Sequence, residues 1–361
     1  MLRTSVFPSR YVQGAGALAT LDDELARFGT SAACLVDDKV RAMLDPLHTN
    51  AQRVELNVRT LEAACTDRTI ADTAAWIRET GAQMVVSFGG GKVVDVGRAA
   101  ADDLRLPFVC VPTIAASDAP CSALSVIYDE NGRVLRDRFV RRNPDLVLVD
   151  SRIVAQAPVR FFIAGIGDAL STWYEAQACH RAYAPNLCGG RATALAFAAA
   201  KLCLDTLLAH AAQAVDDCRA HLVTPDLEAT LEATVLLSGI GFESGGVAAA
   251  HAIHHGLAEL PAAHALLHGE KVAVGTLASL FLWAVPDDER KRIFRFCRDI
   301  GLPTRLAAIN VDVDDTAALM MVAQRACRAG EIIHNEPYPV TPERVVAALQ
   351  AMDRYAARLV D

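Results

Sequence analysis

Five short runs in the first 150 residues are β-rich, and several are apolar from end to end: SAACLVDD (31–38), VELNV (54–58), MVVSFGG (84–90), PFVCVPT (107–113) and PDLVLVD (144–150). A strand that is apolar on both faces has to be covered on both faces. A parallel sheet with helices above and below does this. The covering helices are read in LEAACTDRTIADTAAWIRETGAQ (61–83) and in the segment after the glycines at 89–91. ALSVIYDENGRVLRDRF (123–139) has an Asn-Gly turn between alternating runs and reads as a hairpin. From about Arg152 the strands stop and long Ala- and Leu-rich helical periodicity takes over. The expectation is an α/β domain over 1–155 and an all-helical domain over 156–361, meeting across a cleft.

The remaining bulk features exclude several classes. At 361 residues, two domains are the natural division. The longest uncharged apolar run, Val272–Val285, is too short for a membrane span and reads as a buried helix. The first ten residues lack the apolar segment of a secretory signal, so a cytoplasmic location is expected. A net charge of −8 with pI near 5.7 argues against nucleic acid or an anionic membrane as the main partner. Ten cysteines without CxxC spacing imply free thiols rather than a disulfide framework. RVLRDRFVRR (133–142) holds five arginines, which suit a charged hairpin edge or an anion or subunit contact.

MVVSFGGGKVVDVGRAAA reads as a strand, three glycines (Gly89, Gly90, Gly91) and a helix starting near Lys92. Glycines allow close backbone approach, and amides at a helix start attract phosphate. At the carboxyl end of a parallel strand this suggests a Rossmann-like dinucleotide site. Asp37, ending an earlier strand, could accept hydrogen bonds from an adenosine ribose and so favour NAD over NADP; a solvated turn aspartate is the other reading.

HAIHHGLAELPAAHALLHGEK (251–271) carries five of the ten histidines. Helical spacing stacks His251 on His255 and His264 on His268, and such pairs often hold metals. Asp168, among apolar neighbours in AGIGDALSTWYEA, needs a cationic partner. Periodicity leaves His251 and His255 both open. PAAHALLHG reads as a short helix opened by Pro261 and stopped by Gly269, which leaves His268 at an irregular edge.

Six blocks, SFGGGKVVDVGRAAA, VPTIAASDAPCSALSVIY, APVRFFIAGIGDAL, SGIGFESGGVAAAHAIHHGL, LHGEKVAVGTL and HNEPYPVTPERV, span nearly the whole chain. In this order they resemble the glycerol dehydrogenase branch of the iron-containing-type alcohol dehydrogenases. That resemblance implies a dehydroquinate synthase-like architecture, with NAD on the α/β domain and metal and substrate on the helical one. It implies Asp168, His251 and His268 as ligands of zinc, with ferrous iron also suited. The cofactor would lie along Gly89, Gly90, Gly91, Lys92 and Asp95, with Thr113, Ser122, Leu124 and Val126 on the nicotinamide side. Asp118 and Phe242, beside His251, would contact the polyol.

The implied reaction is oxidation of glycerol to dihydroxyacetone and its reverse, by hydride transfer from a zinc-bound alkoxide. Asp118 would accept a hydroxyl hydrogen bond, and His254 or water would relay the proton. Family members commonly form homo-oligomers, often octamers. His255 stands where Asn is usual, Arg98 replaces a common Lys, and the interval from His251 to His268 is one residue short. Three rivals remain: a same-family dehydrogenase for another small polyol or 2-hydroxy acid; a glycerol-phosphate dehydrogenase or dehydroquinate-synthase-like lyase; and a non-catalytic scaffold. The phosphate readings need a cation in the cleft, and IAASDAPCSALSVIY has none.

Overall fold

The computed structural model describes residues 2–43, 53–62, 64–130 and 132–359. Its strands are β1 (Tyr11–Gly14), β2 (Ser31–Asp37), β3 (Glu55–Leu61), β4 (Met84–Gly89), β5 (Phe108–Pro112), β6 (Leu124–Tyr128), β7 (Val134–Phe139) and β8 (Leu146–Asp150). Six of them form one parallel sheet in the order β1-β8-β5-β4-β2-β3, and β6 and β7 pair separately as an antiparallel hairpin. Both faces of the sheet are covered. Ala33, Leu35, Val85 and Cys110 join one core, while Ala32, Cys34, Val36, Val86 and Phe88 join the other. The sequence reading missed β1. This four-residue edge strand, YVQG, is only half-buried and has no apolar run to announce it.

The helices are α1 (Leu21–Leu25), α2 (Asp67–Thr80), α3 (Gly91–Leu104), α4 (Ser151–Gln156), α5 (Val159–Ala182), α6 (Ala194–Arg219), α7 (Pro225–Glu232), α8 (Ser238–Ile240), α9 (Ala249–Leu257), α10 (His268–Ser279), α11 (Asp287–Ile300), α12 (Thr316–Ala326) and α13 (Pro342–Arg358). Among the described residues the last strand of the chain ends at Asp150, and helices follow. The 61–83 helix starts later than its pattern implied, because Leu61 still belongs to β3 and the Thr66 side chain caps α2 by accepting from Thr69 N–H. The hairpin is joined by a longer loop in which Asp129 N–H donates to Arg133 O; Asn131 of the expected turn lies outside the described residues.

Helix α6 has the length and apolar composition to cross a membrane, with a mean hydropathy of 1.4. Here it packs between α5 and α7. Between α7 and α9 the helix changes register through two π-helical stretches, Ala233–Leu237 and Gly241–Gly245, on either side of α8. Such stretches re-aim side chains, and they are frequent at functional sites.

Candidate active site

Chain order along the sheet reverses between β2 and β4, and in open α/β sheets this is where a crevice opens at the strands' carboxyl ends. Asp37 ends β2 and Gly89 ends β4, so the two face this crevice together. A Cβ on Gly89 would fall 3.0 Å from that of Asp37, whereas one on Gly91 would meet nothing within 4 Å. The backbone at the start of α3 is therefore open to a ligand. Val93 and Val94 N–H turn back to Gly90 O, and Lys92 is exposed on the first turn. Thr113 is buried beside the loop, donating its N–H to Gly89 O. One carboxylate oxygen of Asp37 accepts from Lys39 N–H.

Asp95, expected beside the cofactor, is committed elsewhere. Its Oδ1 accepts from the Arg98 guanidinium at 2.9 Å and its Oδ2 from Val126 N–H at 3.2 Å. Burial pushes its pKa up to about 6 despite these partners. Arg98, 2% exposed, also donates to the carbonyls of Ala119 and Leu124. The Asp95–Arg98 pair thus ties α3 to the loop that carries Asp118, Ser122 and Leu124, and Val126 follows in the hairpin.

Across the crevice, α5 brings Asp168, α9 brings His251 and the first turn of α10 brings His268. Asp168 Oδ1 lies 3.5 Å from His251 Nε2 and 3.1 Å from His268 Nε2. The three donor atoms all lie within 4.8 Å of one another. Ligands held about 2.1 Å from a tetrahedral zinc would sit about 3.4 Å apart, so the spacing fits a metal ion. Asp168 is 2% exposed, and among the described residues no Lys or Arg pairs with it. Burial opposes its ionisation, but the His268 charge and the hydrogen bonds from both imidazoles hold it well below the usual carboxylate range.

His268 reaches this place by a route the sequence did not suggest. PAAHALLHG is not one helix: a single 3₁₀ turn covers Pro261–Ala263, and α10 begins at His268. Gly269 is therefore inside a first turn instead of ending a last one. It is glycine because a Cβ there would lie 1.7 Å from Ala164 O of α5. His264 is exposed and takes no part. Of the other pair, His255 turns away to Glu331, with Nδ1 3.1 Å from Oε2, and His251 faces Asp168.

Glu175 was not anticipated. Its Oε2 lies 2.6 Å from His251 Nδ1, and its Oε1 accepts the N–H groups of Ala248 and His251, each at 2.9 Å. Burial works against protonation of His251, yet Glu175 and Asp168 together raise its pKa well above the ordinary value. Were His251 to hold a metal at Nε2, Glu175 would fix the tautomer in which Nδ1 carries the proton. A signal existed: Glu175 lies seven residues after Asp168, two turns along one face of an apolar helix.

Asp118 donates its N–H to Asp168 Oδ2 at 3.3 Å, and its own Oδ2 accepts from Ser238 Oγ at 2.7 Å. Burial and the neighbouring Asp168 push it up to about 8. The Phe242 ring lies 5.5 Å from that of His251. His254 Nε2 is 3.1 Å from His268 Nδ1, its buried Nδ1 meets no hydrogen-bond partner among the described residues, and burial holds it well below the ordinary imidazole value. Four arginines of the 133–142 segment are paired with carboxylates: Arg136 with Asp67, Arg138 with Asp103, Arg141 with Asp102 and Arg142 with Asp145.

The sequence model for the family described as iron-containing alcohol dehydrogenase matches residues 8–151. A glycerol dehydrogenase of Thermotoga maritima is 49% identical over 98% of both chains. A glycolaldehyde reductase of Halobacterium salinarum is 38% identical over 99% of this chain and 100% of its own. The solved structure of a probable glycerol dehydrogenase from Sinorhizobium meliloti has a TM-score of 0.92 at 40% identity, covering 99% of this chain and 100% of that one. Together with the fold, these findings define an oxidoreductase. The chain belongs to the iron-containing alcohol dehydrogenase family.

Proposed function

We propose that this protein oxidises glycerol to dihydroxyacetone with NAD, and catalyses the reverse reduction. The observation that carries the reading is the Asp168–His251–His268 donor set, with Asp168 and His251 buried and His268 exposed, joined to the loop after β5 through Asp118 N–H on Asp168 Oδ2. These three residues would hold a divalent metal; two imidazoles and a carboxylate suit zinc or ferrous iron. When bound, such an ion lowers the pKa of a coordinated hydroxyl, which readies an alcohol to give up hydride.

The chain's own residues supply the rest. Gly89, Gly90, Gly91 and the first amides of α3, Lys92 included, receive the pyrophosphate. Asp37 takes the adenosine ribose, and Thr113, Ser122, Leu124 and Val126 line the nicotinamide side. Asp118 accepts a polyol hydroxyl, and Phe242 closes the apolar side next to His251. His254 steadies His268 through their ring nitrogens, and it or water relays the proton. We place the enzyme in the cytoplasm, a reading supported by ten free cysteines. We take it to work as a homo-oligomer, supported by apolar side chains left exposed on the hairpin (Val134, Leu135, Phe139) and on α6 (Leu195, Leu202).

The test is NAD reduction with glycerol by chelated protein, before and after zinc or iron is restored, with Asp168→Asn as control. Metal-restored turnover in the parent and none in the variant is expected. Turnover by chelated protein equal to that of the loaded enzyme would overturn the metal role. Turnover with 1,2-propanediol or a 2-hydroxy acid but not glycerol would move the substrate to another small polyol or hydroxy acid. Turnover with glycerol phosphate alone would restore the phosphate reading, which loses support because four arginines of the 133–142 segment are already paired with carboxylates.

A further inference from the structure

We infer that Glu243 is a positioning residue for hydride transfer: it clamps the nicotinamide-side loop onto the helical half and so sets where the cofactor lies against the metal donors. The inference rests on the NAD reading above. Glu243 is 3% exposed and sits in the second π-helical stretch, next to Phe242. Its Oε1 accepts from Ala123 N–H at 2.9 Å, between Ser122 and Leu124 in the chain. Its Oε2 accepts from Asn143 Nδ2, and the same amide group donates to Cys121 O at 2.9 Å. One carboxylate therefore grips the loop twice, directly at residue 123 and through Asn143 at residue 121.

Three further observations give this contact its meaning. Among the described residues no Lys or Arg pairs with Glu243, so a charge-bearing group is buried with only amide donors, and burial pushes its pKa up. An apolar side chain would fill the space at less cost. Next, Gly239 of α8 already touches the loop, since a Cβ there would lie 2.7 Å from that of Cys121. Glu243, four residues on, fixes how the loop is rotated about that contact. Last, the sheet half holds the same loop at its two ends, through Arg98 on Ala119 O and Leu124 O. The ends belong to one half and the middle to the other, so Glu243 is where the two halves are set in register. Neither the glycine loop nor the Asp168–His251–His268 set touches its carboxylate.

The experiment compares NAD with ADP-ribose, which lacks the nicotinamide, by calorimetry on metal-loaded parent, Glu243→Gln and Asn143→Ala. Glutamine preserves the shape and one acceptor but turns an NH2 toward the Asn143 donor. The expected result is an ADP-ribose Kd within about twofold of the parent, weaker NAD binding, and a kcat lower by about tenfold or more, since misplacement near 1 Å costs on the order of a hundredfold. Asn143→Ala should move the same quantities in the same direction by less. Equal weakening of both nucleotides would show a merely structural role and overturn the inference, as would an unchanged kcat. If the parent bound neither nucleotide, the NAD reading itself would fall, and the inference with it.

Discussion

Replacing Glu175 by glutamine isolates the carboxylate that holds His251. In the parent, one oxygen accepts two backbone N–H groups and the other faces His251 Nδ1 at 2.6 Å. Glutamine is nearly isosteric but has one acceptor, so either orientation of its amide sets an NH2 against a donor. With the NH2 toward the ring, His251 must move its proton to Nε2, the atom that faces Asp168 and would bind metal. With the NH2 toward the backbone, two buried amides lose their acceptor. Loss of such a supporting partner typically costs 10- to 100-fold in metal affinity, or about 1.4–2.7 kcal/mol. The assay is competition for zinc against a fluorescent chelator near neutral pH, which needs no turnover. Affinity within twofold of the parent would refute the reasoning, because it would mean that the Nδ1 contact does not decide the tautomer.

Two further perturbations follow from packing and charge. Gly269→Ala puts a methyl where Ala164 O and Asp168 N already lie, at 1.7 and 3.0 Å, so α10 must move off α5; a loss of about 1–3 kcal/mol with weakened zinc binding is expected, and an unchanged Tm in the metal-free protein would contradict it. Burial opposes ionisation of Glu331, but His255 and Arg325 hold its pKa at about 2, below the ordinary 4.5. Its stabilisation is therefore fully present above about pH 4.5 and lost as the pH falls toward 2. After discounting for partial exposure this amounts to about 1–2 kcal/mol, or roughly 1–3 °C in Tm. Metal-free Glu331→Gln should melt below the parent at pH 6 and converge with it toward pH 3; a constant gap across that range would sink the assignment.

What the sequence made legible, and what it hid, divides by the range of the interaction. The strands β2, β4, β5 and β8 and the glycine loop declare themselves through local composition, because a strand buried on both faces has no polar positions to spare. Period alone left His251 and His255 open, since both share a helix face; the decision lies on α5, where Asp168 and Glu175 face His251, and in Glu331, which draws His255 away. Asp95, expected in the same motif as the glycines by resemblance, lies on the buried side of α3 with Arg98, a pairing that the motif does not announce. The π-helical stretches were invisible for a related reason. SGIGFESGG carries four glycines, and its helical state is imposed by contact: a Cβ at Gly241 would lie 2.3 Å from the Thr172 side chain and one at Gly239 would strike Cys121. Those glycines let α8 and its flanking turns approach both α5 and the loop of residues 118–124, and that approach puts Ser238 on Asp118, Phe242 on His251 and Glu243 on Ala123. The segment least readable as structure is thus the one that joins the two halves of the site.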